Sequence, residues 1–233
     1  MSLPFFYHAA AVTSNRFSLD EASAKHVTQV LRMTEGMQLH LTDGKGTLFT
    51  AEIVSAHKRH TEVSILSSAF LPRAARKVSI GISLLKNKAR FEWFLEKATE
   101  LGVHAIYPMR CERTEKEQVR NERLQQIIVS AMLQSKQCWL PALHTPATFY
   151  ETLVAARAQQ NFLAHCAEDK EKRSLSSLRI ADDVTMLIGP EGDFSPNEIS
   201  ASVEAGYEQV ALGENRLRTE TAGVVATTLL CLR

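Results

Sequence analysis

The sequence predicts an α/β protein in which a small β-barrel precedes a larger domain built on a parallel sheet. Before residue 72, short runs of alternating polar and apolar residues dominate, and one helical segment interrupts them. After residue 73, strands and helices alternate, which is typical of a parallel sheet covered by helices on both faces. The change falls at residues 70–76, so we expect domains at residues 1–72 and 73–233.

The composition excludes several classes of protein. Of the 233 residues, 45% are hydrophobic and 23% are charged, and 27 basic against 26 acidic residues leave a net charge of +1. No apolar run approaches the roughly 18 residues of a membrane span, and the start lacks the features of a signal peptide. The four cysteines are widely spaced without a C-x-x-C pair, which favours reduced thiols. We therefore expect a cytoplasmic protein rather than a secreted or membrane protein.

The predicted barrel consists of one helix and several strands. Ser18 and Glu21 have the spacing of a capping box, so a helix should begin there. Residues 43–46 (DGKG) are a turn signal between two alternating runs and predict a hairpin. The apolar stripe of the helix consists of Ala22, Val27, Val30 and Leu31, and the strands are expected at 37–41, 47–53 and 61–66.

The second domain begins with a strand at 77–85, and a helix with Gly102 as its stop follows. A strand at 103–107 should end at Pro108, because proline lacks the N–H that a sheet requires. After a second helix, Pro146 is expected at the first position of a third helix. The apolar positions are Val78, Ile80, Ile82 and Leu84 in the strand, Phe91, Phe94, Leu95, Ala98 and Leu101 in the first helix, and Leu124, Ile127, Ile128, Ala131 and Met132 in the second helix.

The last third of the chain continues the alternation. Ser195 and Glu198 form a second capping box with Pro196 at the first helical position, and Gly206 should end that helix. The remaining predicted elements are strands at 161–166, 184–188 and 207–212 and an apolar C-terminal helix at 219–232.

Two glycine-bearing loops follow the last two predicted strands, at residues 188–192 (IGPEG) and 212–223 (LGENRLRTETAG). Ligands of open α/β sheets bind beyond the carboxyl ends of strands, and glycine lets a backbone approach a flat group such as adenine. Plain strand-to-helix turns explain the same spacing equally well. The first strand ends in residues 84–88 (LLKNK), without the G-x-G-x-x-G of nicotinamide-binding folds. The pattern therefore favours a nucleoside-type cofactor held late in the fold.

Basic residues gather in two places where a polyanion could bind. One group lies between residues 73 and 90, and the other lies in the final loop. Phosphate contacts require such cations, although Arg73 and Arg76 are equally compatible with a solvated linker. The remaining members are Lys77, Lys86, Lys88 and Arg90 in the first group and Arg216 and Arg218 in the second.

Three motifs stand out in the second domain: IGPEG at 188–192, LG at 212–213 followed by LRTETA at 217–222, and KATELGV at 97–103. Together they resemble the RsmE family, whose members are methyltransferases of the SPOUT superfamily. The segment from His26 to Arg32, with Gly36 and Asp43, resembles the PUA-like RNA-binding barrel of that family. The resemblance covers nearly the whole chain, and the first two motifs are specific at this separation.

The resemblance implies transfer of a methyl group from S-adenosylmethionine to N3 of a uridine in small-subunit (16S) ribosomal RNA. It also implies a homodimer whose sites include residues of both subunits, and a SPOUT-like parallel sheet with a trefoil knot. Carried over by motif, the cofactor-binding residues are Leu163, His165, Ile188, Gly189, Pro190, Glu191, Gly192, Leu212, Gly213, Leu217, Thr219 and Ala222. The RNA-binding residues are expected to be Lys86, Lys88 and Arg216. The chain departs from the family pattern at 132–137 and at Glu214-Asn215.

The reaction that the resemblance implies suggests two catalytic residues. The N3 atom of uridine carries a proton, so the site must stabilise the anion that remains after its removal. Arg218 is the candidate for this electrostatic role. Glu220 lies two residues further on, and either Glu220 or Glu191 could be a base. A carboxylate at a helix N-terminus can also serve only to stabilise the helix, through its favourable interaction with the helix dipole.

Two other functions remain open at this point. The first is a non-catalytic protein that binds ribosomal RNA through its barrel and basic loops. The second is a nicotinamide-dependent oxidoreductase, which the absence of an early glycine motif disfavours. A metal site is not expected, because His57 and His60 have no carboxylate or cysteine cluster near them in the sequence.

Overall fold

The computed structural model describes residues 3–12, 14–115, 119–166 and 172–232. The chain divides into two compact units. The first comprises Met1–Arg73 with Met132–Leu140, and the second comprises Ala74–Ala131 with Pro141–Arg233. The sequence predicts no link between residues 132–140 and the N-terminal region, so this assignment is new information from the structure.

The first unit contains a five-stranded sheet and one short helix, which confirms the predicted small β domain. Its strand order is β1-β3-β4-β5-β2, and all neighbours are antiparallel except β1 and β3. The predicted hairpin is confirmed between β3 and β4. The elements are β1 (Phe5–Tyr7), β2 (Arg16–Ser18), α1 (Glu21–Lys25), β3 (Gln38–Thr42), β4 (Thr47–Ser55) and β5 (Glu62–Phe70).

The predicted start of helix α1 is wrong by two residues. Ser18 lies in β2, and the cap is Asp20, whose carboxylate accepts a hydrogen bond from the backbone N–H of Ser23 at 3.0 Å. A π-helical turn continues the helix over His26–Val30. Because a π turn has more residues per turn than an α turn, the position three residues after Val27 does not return to the buried face. Val30, inside the π turn, is therefore 65% exposed, whereas Val27 is fully buried.

Residues 138–140 pack against the hairpin of the first unit. The backbone N–H of Gly46 donates to the carbonyl of Cys138 at 2.8 Å, and that of Leu140 donates to Gly44 at 2.9 Å. A Cβ atom on Gly46 would lie 2.5 Å from the Trp139 ring. The hairpin glycines therefore serve a contact with a distant segment in addition to their positive φ angles of +70° and +100°.

The second unit contains one parallel sheet in the order β11-β13-β10-β12-β6-β7-β8, with β9 also paired to β7. This confirms the predicted α/β class, while the trefoil knot stays a prediction. The strands are β6 (Lys77–Ser83), β7 (Ala105–Arg110), β8 (Ala142–Leu143), β9 (Ala147–Thr148), β10 (Gln160–Ala164), β11 (Arg173–Ser174), β12 (Asp183–Ile188) and β13 (Glu208–Ala211). The helices are α2 (Lys88–Glu100), α3 (Asn121–Gln134), α4 (Phe149–Ala155), α5 (Pro196–Glu204) and α6 (Thr219–Cys231).

Two predictions that depend on proline are wrong. Pro108 lies inside β7, where it pairs with Ile82 of β6. The backbone carbonyl of Ile106 accepts a hydrogen bond from the residue after β8, so the backbone nitrogen of Pro108, two residues further along β7, faces the same side. Pro108 lies between the residues of β7 that pair with β8 and those that pair with β9. No ladder bond is lost there. Helix α4 begins after Thr148 instead of Thr145, because Thr148 forms the capping box with Glu151.

Helices cover both faces of the sheet. On one face α4 and α5 bury a cluster that includes Leu163, Leu187 and Phe194. On the other face Gly223 of α6 meets Phe94 of α2 and Ile82 of β6. The caps predicted at Ser195, Gly102 and Gly206 are confirmed, since Ser195 forms the capping box with Glu198 and both glycines have positive φ angles. Within the described residues, none of the helices is long and apolar enough to cross a membrane.

Gly223 offers a direct test of this packing. A Cβ at Gly223 would lie 2.6 Å from a ring carbon of Phe94 and 2.9 Å from Ile82. We expect Gly223→Ala to lower the free energy of unfolding by about 1–3 kcal/mol through overpacking, measured by urea denaturation. Gly213→Ala is the matched control, because no heavy atom lies within 4 Å of its Cβ position. Equal stability of the two variants would contradict the close α2–α6 packing.

Candidate functional site

The loops that follow β10, β12 and β13 enclose a cleft of about 680 Å³. This volume is within the range of sites for small molecules and cofactors. Because these strands are parallel, their following loops lie at the same carboxyl edge of the sheet. The cleft therefore lies where the sequence predicts a ligand.

Most of the predicted cofactor residues line this cleft, but two do not. Leu163 is fully buried in the core with Leu187, because side chains alternate along β10 and its neighbour Ala164 faces the cleft instead. Gly192 lies outside the lining. The predicted residues that line the cleft are His165, Ile188, Gly189, Pro190, Glu191, Leu212, Gly213, Leu217, Thr219 and Ala222, together with Arg216 and Arg218.

The three motif glycines differ in how much space surrounds the position that a Cβ atom would occupy. A Cβ on Gly189 would lie 3.0 Å from the ring of Phe194, and a Cβ on Gly192 would lie 3.4 Å from the Cβ of Arg113. Gly189 therefore allows Phe194 to pack closely against the loop, whereas the distance at Gly192 is an ordinary van der Waals contact. The position of a Cβ on Gly213 is open space, so only this glycine leaves room on the cleft side.

Arg113 braces the IGPEG loop, a role that the sequence does not reveal. Its guanidinium Nη1 donates to the carbonyl of Gly192 at 2.7 Å and to that of Phe194 at 3.4 Å. Asp193 has a φ of +63°, and its carboxylate accepts from the backbone N–H groups of Cys166 and Phe194, both at 2.9 Å. The loop after β12 is thereby fastened to the loops after β7 and β10.

A buried carboxylate holds the same region together. Glu198 is fully buried, and its Oε1 accepts from the backbone N–H of Glu112 at 2.9 Å. Its Oε2 accepts from the backbone N–H of Ser195 at 2.8 Å. The capping box that the sequence predicts at the start of α5 therefore also fixes the loop after β7.

Arg218 and Glu220 are close in sequence but face different surroundings. Arg218 is the N-cap residue of α6, is exposed and lines the cleft. Glu220 is 7% exposed, and its Oε1 lies 3.6 Å from Nε of Arg90 on α2. Within the described residues, the other oxygen of Glu220, Oε2, has no hydrogen-bond partner. The structure thus brings Arg218 to the cleft and turns Glu220 away from it.

The predicted RNA-binding lysines lie outside the cleft. Lys86 follows β6 and pairs with Glu115 at 2.6 Å, and both side chains are exposed. Glu115 raises the pKa of Lys86, with a smaller contribution from Glu191 in the cleft loop. Lys88 opens α2 and is exposed. Of the three predicted residues, only Arg216 lines the cleft.

Several polar groups at the cleft are not among the predicted residues. Lys172 donates from Nζ to the carbonyl of His165 at 2.8 Å, and the ring of His165 pairs with Gln209 at 2.7 Å. Cys166 is exposed and lines the cleft together with Asp193. Their sequence positions carry no recognisable motif. The described residues contain no group of three or more potential metal ligands.

Comparison with known proteins agrees with this geometry. The model of the RNA methyltransferase domain matches residues 72–231, and that of the RNA methyltransferase PUA domain matches residues 19–66. The ribosomal RNA small subunit methyltransferase E of Synechocystis sp. is 29% identical over 216 residues, which cover 90% of this chain and 70% of that protein.

Solved structures show the same similarity. A probable rRNA-methyltransferase from Porphyromonas gingivalis is 37% identical, with a TM-score of 0.90 over 99% of this chain and 100% of that chain. A ribosomal RNA small subunit methyltransferase E from Neisseria gonorrhoeae, bound to S-adenosyl methionine, is 27% identical with a TM-score of 0.84 over 97% and 95% of the two chains. By its fold, its motifs and these matches, the chain belongs to the RsmE family of RNA methyltransferases.

Proposed function

We propose that this protein transfers a methyl group from S-adenosylmethionine to N3 of a uridine in small-subunit (16S) ribosomal RNA. The cleft at the carboxyl edge of the sheet, with Arg216 and Arg218 in its wall, is the observation that carries the proposal. Relatives named ribosomal RNA small subunit methyltransferase E support the substrate class. Similar structures that contain S-adenosylmethionine support the methyl donor.

The residues at the cleft fit this donor. Ile188, Leu212 and Leu217 supply apolar walls of the kind that an adenosine ring requires. The open space at Gly213 allows a flat group to approach the backbone without a side chain between them. The volume of about 680 Å³ accommodates one such molecule. We assign the adenosyl group to the loops at 188–192 and 212–217.

Arg218 is the residue we propose for catalysis. When bound, S-adenosylmethionine supplies an electrophilic methyl group on a positively charged sulfur. The proton of N3 passes to Glu191, the other candidate base, which lines the cleft, or to water. Arg218 stabilises the negative charge that then develops on the uridine oxygen, because a guanidinium donates two hydrogen bonds and keeps its charge. Alignment of N3 with the methyl group supplies a further part of the acceleration. Glu220 faces Arg90, so we assign it to positioning of α2 and α6 instead of proton transfer.

The decisive experiment is methylation of undermethylated small ribosomal subunits with labelled S-adenosylmethionine, followed by mapping of the label. We expect label on N3 of one uridine. Label on a carbon or a ribose would overturn the proposed position and leave the enzyme class intact. If calorimetry with the intact protein detects no S-adenosylmethionine binding, the alternative of a non-catalytic ribosomal RNA-binding protein replaces the proposal.

We also propose that the protein acts as a homodimer in the cytoplasm, where ribosomal subunits assemble. The proposal rests on the resemblance to the RsmE family, whose sites include residues of both subunits. Sedimentation at micromolar concentration measures the oligomeric state directly. A stable monomer that retains full methyl transfer would contradict the proposed shared sites.

Cys166 provides an independent test of the cofactor site. Burial raises the pKa of the thiols of Cys111 and Cys138 and raises that of Cys231 to about 11, which suppresses their thiolate forms. Cys166 is exposed in the cleft wall. We expect a disulfide reagent to react first with Cys166 and to do so about tenfold more slowly at ten times the Kd of S-adenosylmethionine.

Two controls define the outcome of this labelling experiment. Cys166→Ser should remove the fast reaction and leave the other three thiols unchanged. NADH should give no protection, because the cleft lacks a dinucleotide motif. If saturating S-adenosylmethionine leaves the rate unchanged, the donor does not cover this wall of the cleft.

A further inference from the structure

A second cavity, of about 190 Å³, lies beside the carboxyl end of β6. Its apolar surface comes from Leu85, Phe91 and Leu124, each of which is at most 3% exposed. The volume is below the range of about 300–1,000 Å³ that cofactors and drug-sized ligands occupy. A cavity of this size and polarity suits one planar ring system.

The rim of this cavity carries an excess of positive charge. Lys88 and Arg120 are exposed at the rim, and Arg123 lies beside them. Arg123 is held by Glu92, with Nη2 and Oε2 3.1 Å apart. Three cations and one carboxylate leave a local charge of about +2, which favours a ligand that combines an apolar ring with phosphate. An unpaired nucleotide of RNA has this combination.

The cavity and the cofactor cleft lie along the same edge of the sheet. Strand β6 pairs with β12 in parallel, so the residues after both strands lie at the carboxyl edge. Lys86 lies between β6 and the cavity residue Lys88 in the chain. The negative charge of Glu191 in the cleft loop contributes to the raised pKa of Lys86. One strand of RNA that presents its target base to the cleft can therefore continue across this rim.

We propose that the cavity binds one unpaired nucleobase of the RNA strand that carries the target uridine, with Lys88 and Arg120 on the adjoining phosphates. The inference rests on the proposed function and extends it to a second recognition point on the substrate. Sequence-specific RNA recognition commonly uses bases that leave the stack and enter a pocket. The cavity would select for a nucleotide next to the target and hold the strand in register.

The salt dependence of RNA binding tests the charged rim. We expect Lys88→Ala/Arg120→Ala to weaken filter binding of undermethylated 16S ribosomal RNA and to reduce the slope of log K against log salt by about 1.4, or 0.7 for each lost phosphate contact. Glu92→Gln releases Arg123 and should strengthen binding and steepen the slope. Arg157→Ala is the matched control, because Arg157 is an exposed cation just before β10, at the opposite edge of the sheet.

The base itself is tested by photo-crosslinking. We expect 16S ribosomal RNA that contains 4-thiouridine to crosslink to residues 85–92 or 119–124, and an abasic nucleotide at the crosslinked position to reduce affinity by about fivefold or more. An unchanged salt slope in the double variant, an equal loss in Arg157→Ala, or crosslinks confined to other segments would each overturn the proposal.

Binding is measured without the methyl donor, so the two proposals can fail separately. If wild-type protein binds RNA through this rim but transfers no methyl group, the proposed function fails and the nucleobase site stands. If methyl transfer is intact and the double variant binds RNA like wild type, the nucleobase site fails alone.

Discussion

Arg218→Ala is expected to reduce the rate constant of methyl transfer by about 10²–10³-fold, the effect of removing one donor that stabilises a developing oxyanion. Arg218 is exposed at the start of α6 and lines the cleft, so its side chain can reach a substrate without moving the fold. The affinity for S-adenosylmethionine should change little, because apolar side chains and backbone groups form most of the predicted adenosyl site. Single-turnover methylation and calorimetry measure the two quantities separately.

Arg218→Lys distinguishes charge from geometry. Lysine keeps the positive charge and loses the planar pair of donors, so we expect a rate between those of wild type and Arg218→Ala. Unchanged turnover in Arg218→Ala would reject the catalytic role. A loss of donor binding that accounts for the whole effect would reassign Arg218 to the cofactor site.

Glu198→Ala is expected to lower the free energy of unfolding by about 3 kcal/mol or more. The carboxylate is fully buried and accepts two backbone N–H groups, those of Glu112 and Ser195. A hydrogen bond to a charged group contributes about 1.5–3 kcal/mol, and the alanine variant would leave the buried N–H of Ser195 and the half-buried N–H of Glu112 without this acceptor. Urea denaturation monitored by circular dichroism measures the loss.

A second capping box, at the start of α4, supplies the matched control. Glu151 of α4 makes the same reciprocal bonds with Thr148, but its surroundings are exposed. Glu151→Ala should therefore destabilise the protein much less than Glu198→Ala, because water can satisfy the groups that it leaves. Equal effects would show that the bond from Glu112 to Glu198 contributes little to stability.

Patterns within contiguous residues predict much of this fold. The alternation of strands and helices, the capping box at Ser195 and the helix stops at Gly102 and Gly206 are local, and the structure confirms them. Local patterns fail where distant residues decide the outcome. Pro108 remains in β7 because neither β8 nor β9 pairs with β7 at this position, so the N–H that proline lacks is not needed there. Nothing in the sequence near Pro108 indicates that arrangement.

The candidate site divides in the same way. Both glycine loops can be identified from the sequence. The fold brings them together because the strands before them, β12 and β13, are both parallel neighbours of β10. Their glycines, however, serve different partners. Gly192 accepts a hydrogen bond at its carbonyl from Arg113, which lies 79 residues earlier in the chain. Glu220 follows Arg218 by two positions, yet the helix turns it towards Arg90 on α2.

The sequence by itself therefore determined the α/β class, the order of the helices and of the longer strands, the two loops of the cleft and the family. Only the tertiary structure decided which side chains face the cleft and which hold its loops in place from outside the cleft. It also revealed a second cavity with a basic rim at the same edge of the sheet. The physical reason is the range of the interactions. Caps, turns and periodicity act over a few residues, whereas the direction of a loop side chain depends on contacts made by residues far away in the chain.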